Sequence, residues 1–396
     1  MIPELRTEFN RRWRPHLYDE LLRRLDEVAG CHVSFRCSET PVFLPKQLLD
    51  KMVRYGGELY TQLVTNPEYL HAARRVIPGQ FRVPNGSEYP LFLQADFGLV
   101  CEEHSTLEPK LVEIQGFPSI YAFQVAMARE YQRTYNLDEM QQGLTTFLSG
   151  LDHLSFQALL ERAILNGHSP DEVVLLEIDP YEQKTLPDFL VTQNLLGLKI
   201  ADIRAIQKQG RRLFFEGVEI KRIYNRVIVD ELVRKNIDSE FKLTDDVDVE
   251  WAGDPNWFFQ ISKFSLPWLR HESVPETWFL SELKHLPENL DDYVLKPLYS
   301  FAGLGVKIGP NLDEIEAIPA DQRANFILQR KMDFVPTLET PSGPTKVEIR
   351  IMYIWQDGEM KPVTSLLRTG RGKMMGVDFN KNLDWVGASA GFLISE

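Results

Sequence analysis

"LQADFGLVCEEHSTLEPKLVEIQGFPS", residues 93–119, reads as two strand-like runs around a polar loop. Side chains alternate along a strand, so Asp96 shares a face with Gln94 and Phe92, and Glu113 shares one with Gln115. A hairpin closed symmetrically by the polar loop sets Asp96 near Glu113. Two directly opposed carboxylates repel, and a hard dication between them removes the repulsion. Mg²⁺ favours a few carboxylates completed by substrate phosphates and water, and Gln115 can add a neutral amide oxygen. Asp96, Glu113 and Gln115 are therefore candidate metal ligands. The alternative is a solvated sheet face that happens to carry acids.

The 396 residues suffice for two or three domains with large cores. Acids outnumber bases 57 to 44, a formal net charge of −13. That balance argues against general nucleic-acid or anionic-membrane binding. No apolar run reaches the length of a membrane span. The opening stretch through Val28 is a charged amphipathic helix rather than a signal peptide. Three cysteines without close-paired spacing point to reduced thiols and a cytoplasmic protein.

There are no internal repeats or low-complexity tracts. Residues 1–167 read as helices around the hairpin. Residues 168–250 alternate: "DEVVLLEIDP" is a buried strand, "YEQKTLPDFLVTQNLLG" a helix closed by Gly197, "LKIADI" a second strand, and "RRLFFEGVEI" a hairpin turned at Glu216-Gly217. This is a small α/β unit. Residues 251–396 are α+β.

A second signal lies in "DYVLKPLYSFAGLGVKIGP", residues 292–310. A strand ends at Lys296-Pro297, and a loop containing Ser300, Ala302, Gly303 and Gly305 leads into another strand. Glycine loops between strands expose N–H groups that can cover phosphates, and a lysine beside them is a point charge for those phosphates. The pattern is neither a Walker loop nor a dinucleotide fingerprint, and ordinary glycine hairpins are common. Downstream, "NFILQRKMDF" is a buried strand turning polar at Gln329. "TKVEIRIMYIW" places Glu348 and Arg350 on one face, and "VTSLLRTGRGKMMG" supplies Arg368, Arg371 and Lys373. Positive charge thus gathers late in an acidic chain, as an anionic ligand would require. For Arg371 and Lys373 a solvated basic face is the better reading. "GASAG", residues 387–391, matches the nucleophile-elbow pattern, but no helix, acid and histidine follow it. A hydrolase is excluded on that ground.

Taken together, these motifs resemble the ATP-grasp superfamily, across about residues 90–390. The metal signature of an acid on one strand and Glu-x-Asn on the next, followed by Pro, is similar to Asp96, Glu113-Ile114-Gln115 and Pro118. Because the metal strands come early, the order resembles the circularly permuted branch of glutathionylspermidine synthetase and eukaryotic-type glutathione synthetase. The resemblance implies an α+β ATP-grasp fold with an inserted α/β substrate-side domain. It further implies an ATP- and Mg²⁺-dependent carboxylate–amine ligase working through an acylphosphate, with one or two Mg²⁺ ions. Lys263 and Lys296 would contact phosphates under the Ser300–Gly305 loop. Backbone groups near Gln329, Arg330 and Met332 would read adenine, and Asp333 the ribose. Arg350 and Arg368 would stabilise charge on the transferred group. Two departures stand out: Gln115 replaces Asn, and Gln94 stands where an arginine is usual. A small-molecule kinase of the same fold and a non-catalytic nucleotide-binding protein are the alternatives.

Overall fold

The computed structural model describes residues 1–101, 106–299, 303–376, 380 and 382–395. Several of its helices begin at a proline, which needs no N–H partner in the first turn, or at a capping side chain. Proline opens α1 (Pro3–Arg12) and α2 (Pro15–Ala29), and Gly30 ends α2 at φ 70°. Next come α3 (Lys46–Val64) and α4 (Pro67–Arg75), the latter capped by Asn66. Further along are α5 (Tyr121–Thr134), α6 (Leu137–Met140), α7 (His153–Leu165) and α8 (Leu186–Leu196).

Among the described residues the strands form four sheets. The largest runs β1 (Val42–Phe43), β19 (Gly387–Ile394), β18 (Glu359–Gly370), β17 (Gly343–Gln356), β2 (Phe92–Cys101), β3 (Leu107–Gln115). β4 (Leu144–Thr145) joins β19, and β16 (Pro336–Thr340) joins β17. A parallel sheet is ordered β11 (Glu250–Ala252), β10 (Arg222–Asn225), β5 (Val173–Glu177), β6 (Lys199–Asp202). A meander of β7 (Gln207–Gln209), β8 (Arg212–Phe215) and β9 (Val218–Ile220) turns at Glu216 and Gly217, both at positive φ. The fourth sheet is β12 (Thr277–Phe279), β15 (Phe326–Arg330), β13 (Tyr293–Pro297), β14 (Lys307–Ile308). This is an α+β fold. The parallel sheet takes its edge strand from Glu250–Ala252. Residues 387–391 form strand rather than an elbow, and the Ser389 hydroxyl donates to the Thr40 carbonyl at 2.7 Å.

The two faces of the large sheet follow from strand alternation. Leu93, Ala95, Phe97, Ile349 and Ile351 point to one side and pack on Leu49, Met52 and Leu59 of α3. Phe92, Met352, Ile354 and Leu366 point to the other, under Tyr121 and Val125 of α5 and Phe156 and Leu160 of α7. Along that second face the chemistry changes abruptly. Met352 pairs with Gln94, but two residues on Arg350 pairs with Asp96, and Arg368 pairs with Glu348. Beyond the reach of α5 and α7 the same face carries charge, and there the small antiparallel sheet approaches.

Candidate functional site

The hairpin register is the one its alternation predicts: Asp96 opposite Glu113 and Gln94 opposite Gln115, with an irregularity just past Asp96 that inserts Val112. What the hairpin alone could not indicate is how the carboxylates are compensated. Arg350 on the adjoining strand donates to both Asp96 oxygens, Nε to Oδ1 at 2.5 Å and an Nη to Oδ2 at 2.6 Å. Arg368, one strand further, reaches Asp96 Oδ2 at 3.3 Å and donates to Glu348. Cations supplied by the fold thus meet the repulsion that a metal ion was expected to relieve. Burial alone would raise the Asp96 pKa, but the two guanidiniums outweigh it and hold the group below its ordinary value. Glu348 ends above its ordinary value because burial dominates, with Asp96 and Glu113 adding to it against Arg368. Arg368 is raised, the surrounding carboxylates overcoming its burial.

Glu113 is less enclosed, with 21% of its side chain accessible. Gln115 donates its amide nitrogen to it, Lys263 Nζ lies 3.8 Å away, and Arg350 lies 3.9 Å away. Lys263 opens the 3₁₀ turn Lys263–Trp268, capped by Ser262. The same segment covers the outer edge of β3: Gly116 N–H donates to the Ile261 carbonyl, and Leu111 N–H to Ser273.

Lys296 comes from the small sheet and bridges to the large one. Its Nζ donates to the Gln329 side-chain oxygen at 2.6 Å and to the Val112 carbonyl at 3.2 Å. Burial pushes its pKa down to about 8, reinforced by Lys263 and opposed by Glu113, Glu348 and Asp96. Gln329 is thereby a positioning partner of Lys296, braced in turn by its bond to the Thr277 hydroxyl at 3.2 Å. Gln329 and Arg330 lie inside the ladder, and the Arg330 side chain pairs outward with Asp292 at 3.6 Å. Met332 and Asp333 fall instead in the crossing segment between the two sheets. That segment rejoins the large sheet where Val335 N–H donates to the Leu99 carbonyl, and the Phe334 ring occupies the space beside Gly98.

Gly303 and Gly305 are both at positive φ, 75° and 73°, where glycine is favoured. At Gly305 a methyl group would also stand 2.9 Å from Pro297. Ser300 and Ala302 lie outside the described residues.

Lys263, Lys296, Arg350 and Arg368 therefore converge on Asp96, Glu113 and Glu348, from segments up to 272 residues apart. Four cations against three carboxylates leave the cluster one positive charge in excess when all are ionised. Such an excess of positive charge suits an anion. Three participants had no place among the sequence candidates: Glu348, Thr277 and the Val112 carbonyl. Only Glu348 left a trace in the sequence, through its alternation with Arg350.

The α+β fold is similar to that of a glutathione synthetase-like protein. A solved structure with that fold is a glutathione synthetase like-effector (GSS30) from Globodera pallida in apo form. It is similar with a TM-score of 0.56 at 12% identity, over 96% of this chain and 99% of that one. At that identity the likeness is one of fold. No protein-family model matches the chain, and no curated protein matches it.

Proposed function

We propose that the chain is an ATP- and Mg²⁺-dependent carboxylate–amine ligase of the permuted ATP-grasp type. The observation that carries this reading is the convergence of Lys263, Lys296, Arg350 and Arg368 on Glu113 and Asp96 where two sheets meet. Phosphoryl transfer needs positioning and neutralisation of charge more than covalent help from the protein.

The donor set fits Mg²⁺ in a restricted way. Among the described residues no three His, Cys, Asp or Glu side chains stand grouped to hold a metal. Glu113 and the Gln115 amide oxygen would hold the ion, with nucleotide phosphates and water completing the shell. Asp96, with both oxygens on Arg350, contributes first by fixing the two arginines. When bound, the ion would neutralise phosphate charge. Lys263 and Lys296 would orient the phosphates beneath the Gly303–Gly305 turn, and the Lys331–Asp333 crossing would lie beside the base. Arg350 and Arg368 would face the carboxylate that accepts the phosphoryl group, ready for an amine to displace phosphate.

The test is a screen of carboxylates and amines for ADP release, with mass analysis of the product. A ligase releases ADP and inorganic phosphate only when both substrates are present, and the product mass equals the two joined less water. A kinase leaves the phosphate on its product. Absence of nucleotide turnover with any pair, together with no ATP binding, sinks the reading.

A further inference from the structure

A cleft of about 630 Å³ lies outside the candidate site, between α4, the 82–89 segment and the short helix Asn256–Gln260. Arg74, Arg75, Arg82 and His71 line it, in a chain whose net charge is −13. None of the four forms an ion pair among the described residues. Arg82 is held in place by donating to the carbonyls of Arg74 and Ile77, both at 3.2 Å. Glu88 is the one carboxylate among the lining residues.

Two observations separate this cleft from an ordinary solvated basic face. The first is Gln260, which lines the cleft, is only 6% exposed and makes no side-chain hydrogen bond among the described residues. Its amide atoms are not among the fully enclosed polar atoms, so they stay open to the cleft and a ligand entering there can complete their hydrogen bonds. The second is that the walls are tied together. Asn256 exchanges hydrogen bonds with the Val83 backbone at 3.0 and 3.1 Å, and Ser87 N–H donates to Asp254 at 2.6 Å. The Trp257 indole donates to the Ser87 carbonyl at 3.1 Å. At Gly86 a methyl group would lie 2.5 Å from both Asp254 and Asn256, so the loop approaches as closely as glycine allows. The cleft is thus held open by its own framework, and Leu70 and Val64 give it an apolar side.

We propose that this cleft binds a small organic polyanion, a molecule carrying two or more phosphate or carboxylate groups, with the guanidiniums on its charges and Gln260 on a polar atom. It is a site separate from the cluster around Glu113. Pyrophosphate and citrate, titrated separately by calorimetry against sodium chloride of matched ionic strength, test the claim and distinguish the two anion chemistries. Saturable binding of at least one probe is expected. It should weaken at least tenfold in Arg74→Ala/Arg75→Ala and persist in Lys296→Ala, which alters only the candidate site. Gln260→Leu should weaken binding while leaving thermal stability equal or higher. The proposal falls if neither probe binds beyond the salt effect. It also falls if binding survives loss of the arginine pair or disappears in Lys296→Ala. A Gln260→Leu protein that is less stable yet binds normally would make the amide structural and remove the basis of the site.

Discussion

Replacing Asp96 and replacing Glu113 should leave opposite signatures, although the two face each other across one hairpin. Asp96→Asn strands the buried Arg350 guanidinium, and breaking a buried pair from one side costs about 3–5 kcal/mol. Chemical unfolding would register that loss without any ligand. Glu113→Gln breaks only long, partly exposed contacts and should change stability by no more than about 1 kcal/mol. If Glu113 holds Mg²⁺ as proposed, its loss costs ~3 kcal/mol in the transition state, a roughly hundredfold fall in turnover. A Glu113→Gln protein that turns over normally would remove it from the metal site. Lys296 adds a pH signature. Its folded value of about 8 lies below the ordinary lysine value of about 10.4, so between those pH values only the unfolded chain holds the proton. Stability contributed at this position therefore rises with pH across that window. Measured against Lys296→Met by urea unfolding, wild type should gain on the order of 2 kcal/mol between pH 7 and pH 10. A constant difference would show that Lys296 stays charged throughout. At this scale the sequence was partly legible. Alternation gave the Asp96–Glu113 register and the shared face of Glu348 and Arg350. It could not give the Asp96–Arg350 pair, because those residues are 254 positions apart and nothing local specifies which strands become neighbours.

Among elements, the crossing from the small sheet back to the large one depends on Gly98. Phe334 occupies the space a side chain at that position would fill, next to the strand position of Glu348. Gly98→Ala should overpack this contact and cost about 1–3 kcal/mol. Combining it with Phe334→Leu should recover part of the loss, because the smaller side chain makes room for the methyl. A double-mutant cycle showing strict additivity would place the strain elsewhere. The strand Val173–Glu177 lies within its sequence reading, and the next helix ends at Gly197, φ 75°, as expected, but it starts at Leu186 rather than Tyr181, because Pro180–Glu182 forms a separate 3₁₀ turn. The less legible features are tertiary. Val112 is extra in its strand only with respect to its partner, and Gln329 reads as an adenine-side residue until the small sheet folds it against Lys296.

For the whole molecule, the proposed reading requires that nucleotide tie the two sheets together. Millimolar ATP with Mg²⁺ should raise Tm by several degrees, since a ligand confined to the folded state stabilises it by mass action. Lys296→Ala should abolish that shift while keeping a cooperative unfolding transition; a normal shift in this variant would show the lysine to be structural only. The order of strands in the large sheet has a further consequence for biosynthesis. Among the described residues β1, two residues long, pairs with β19, and β2, besides its hairpin partner β3, pairs with β17, so each of these early strands waits for a neighbour more than 240 residues downstream. Until residues 343–394 have left the ribosome, α1, α2, α3 and α5 have no completed sheet on which to bury their apolar faces. The nascent chain therefore carries these apolar faces without their completed sheet until its synthesis is nearly over.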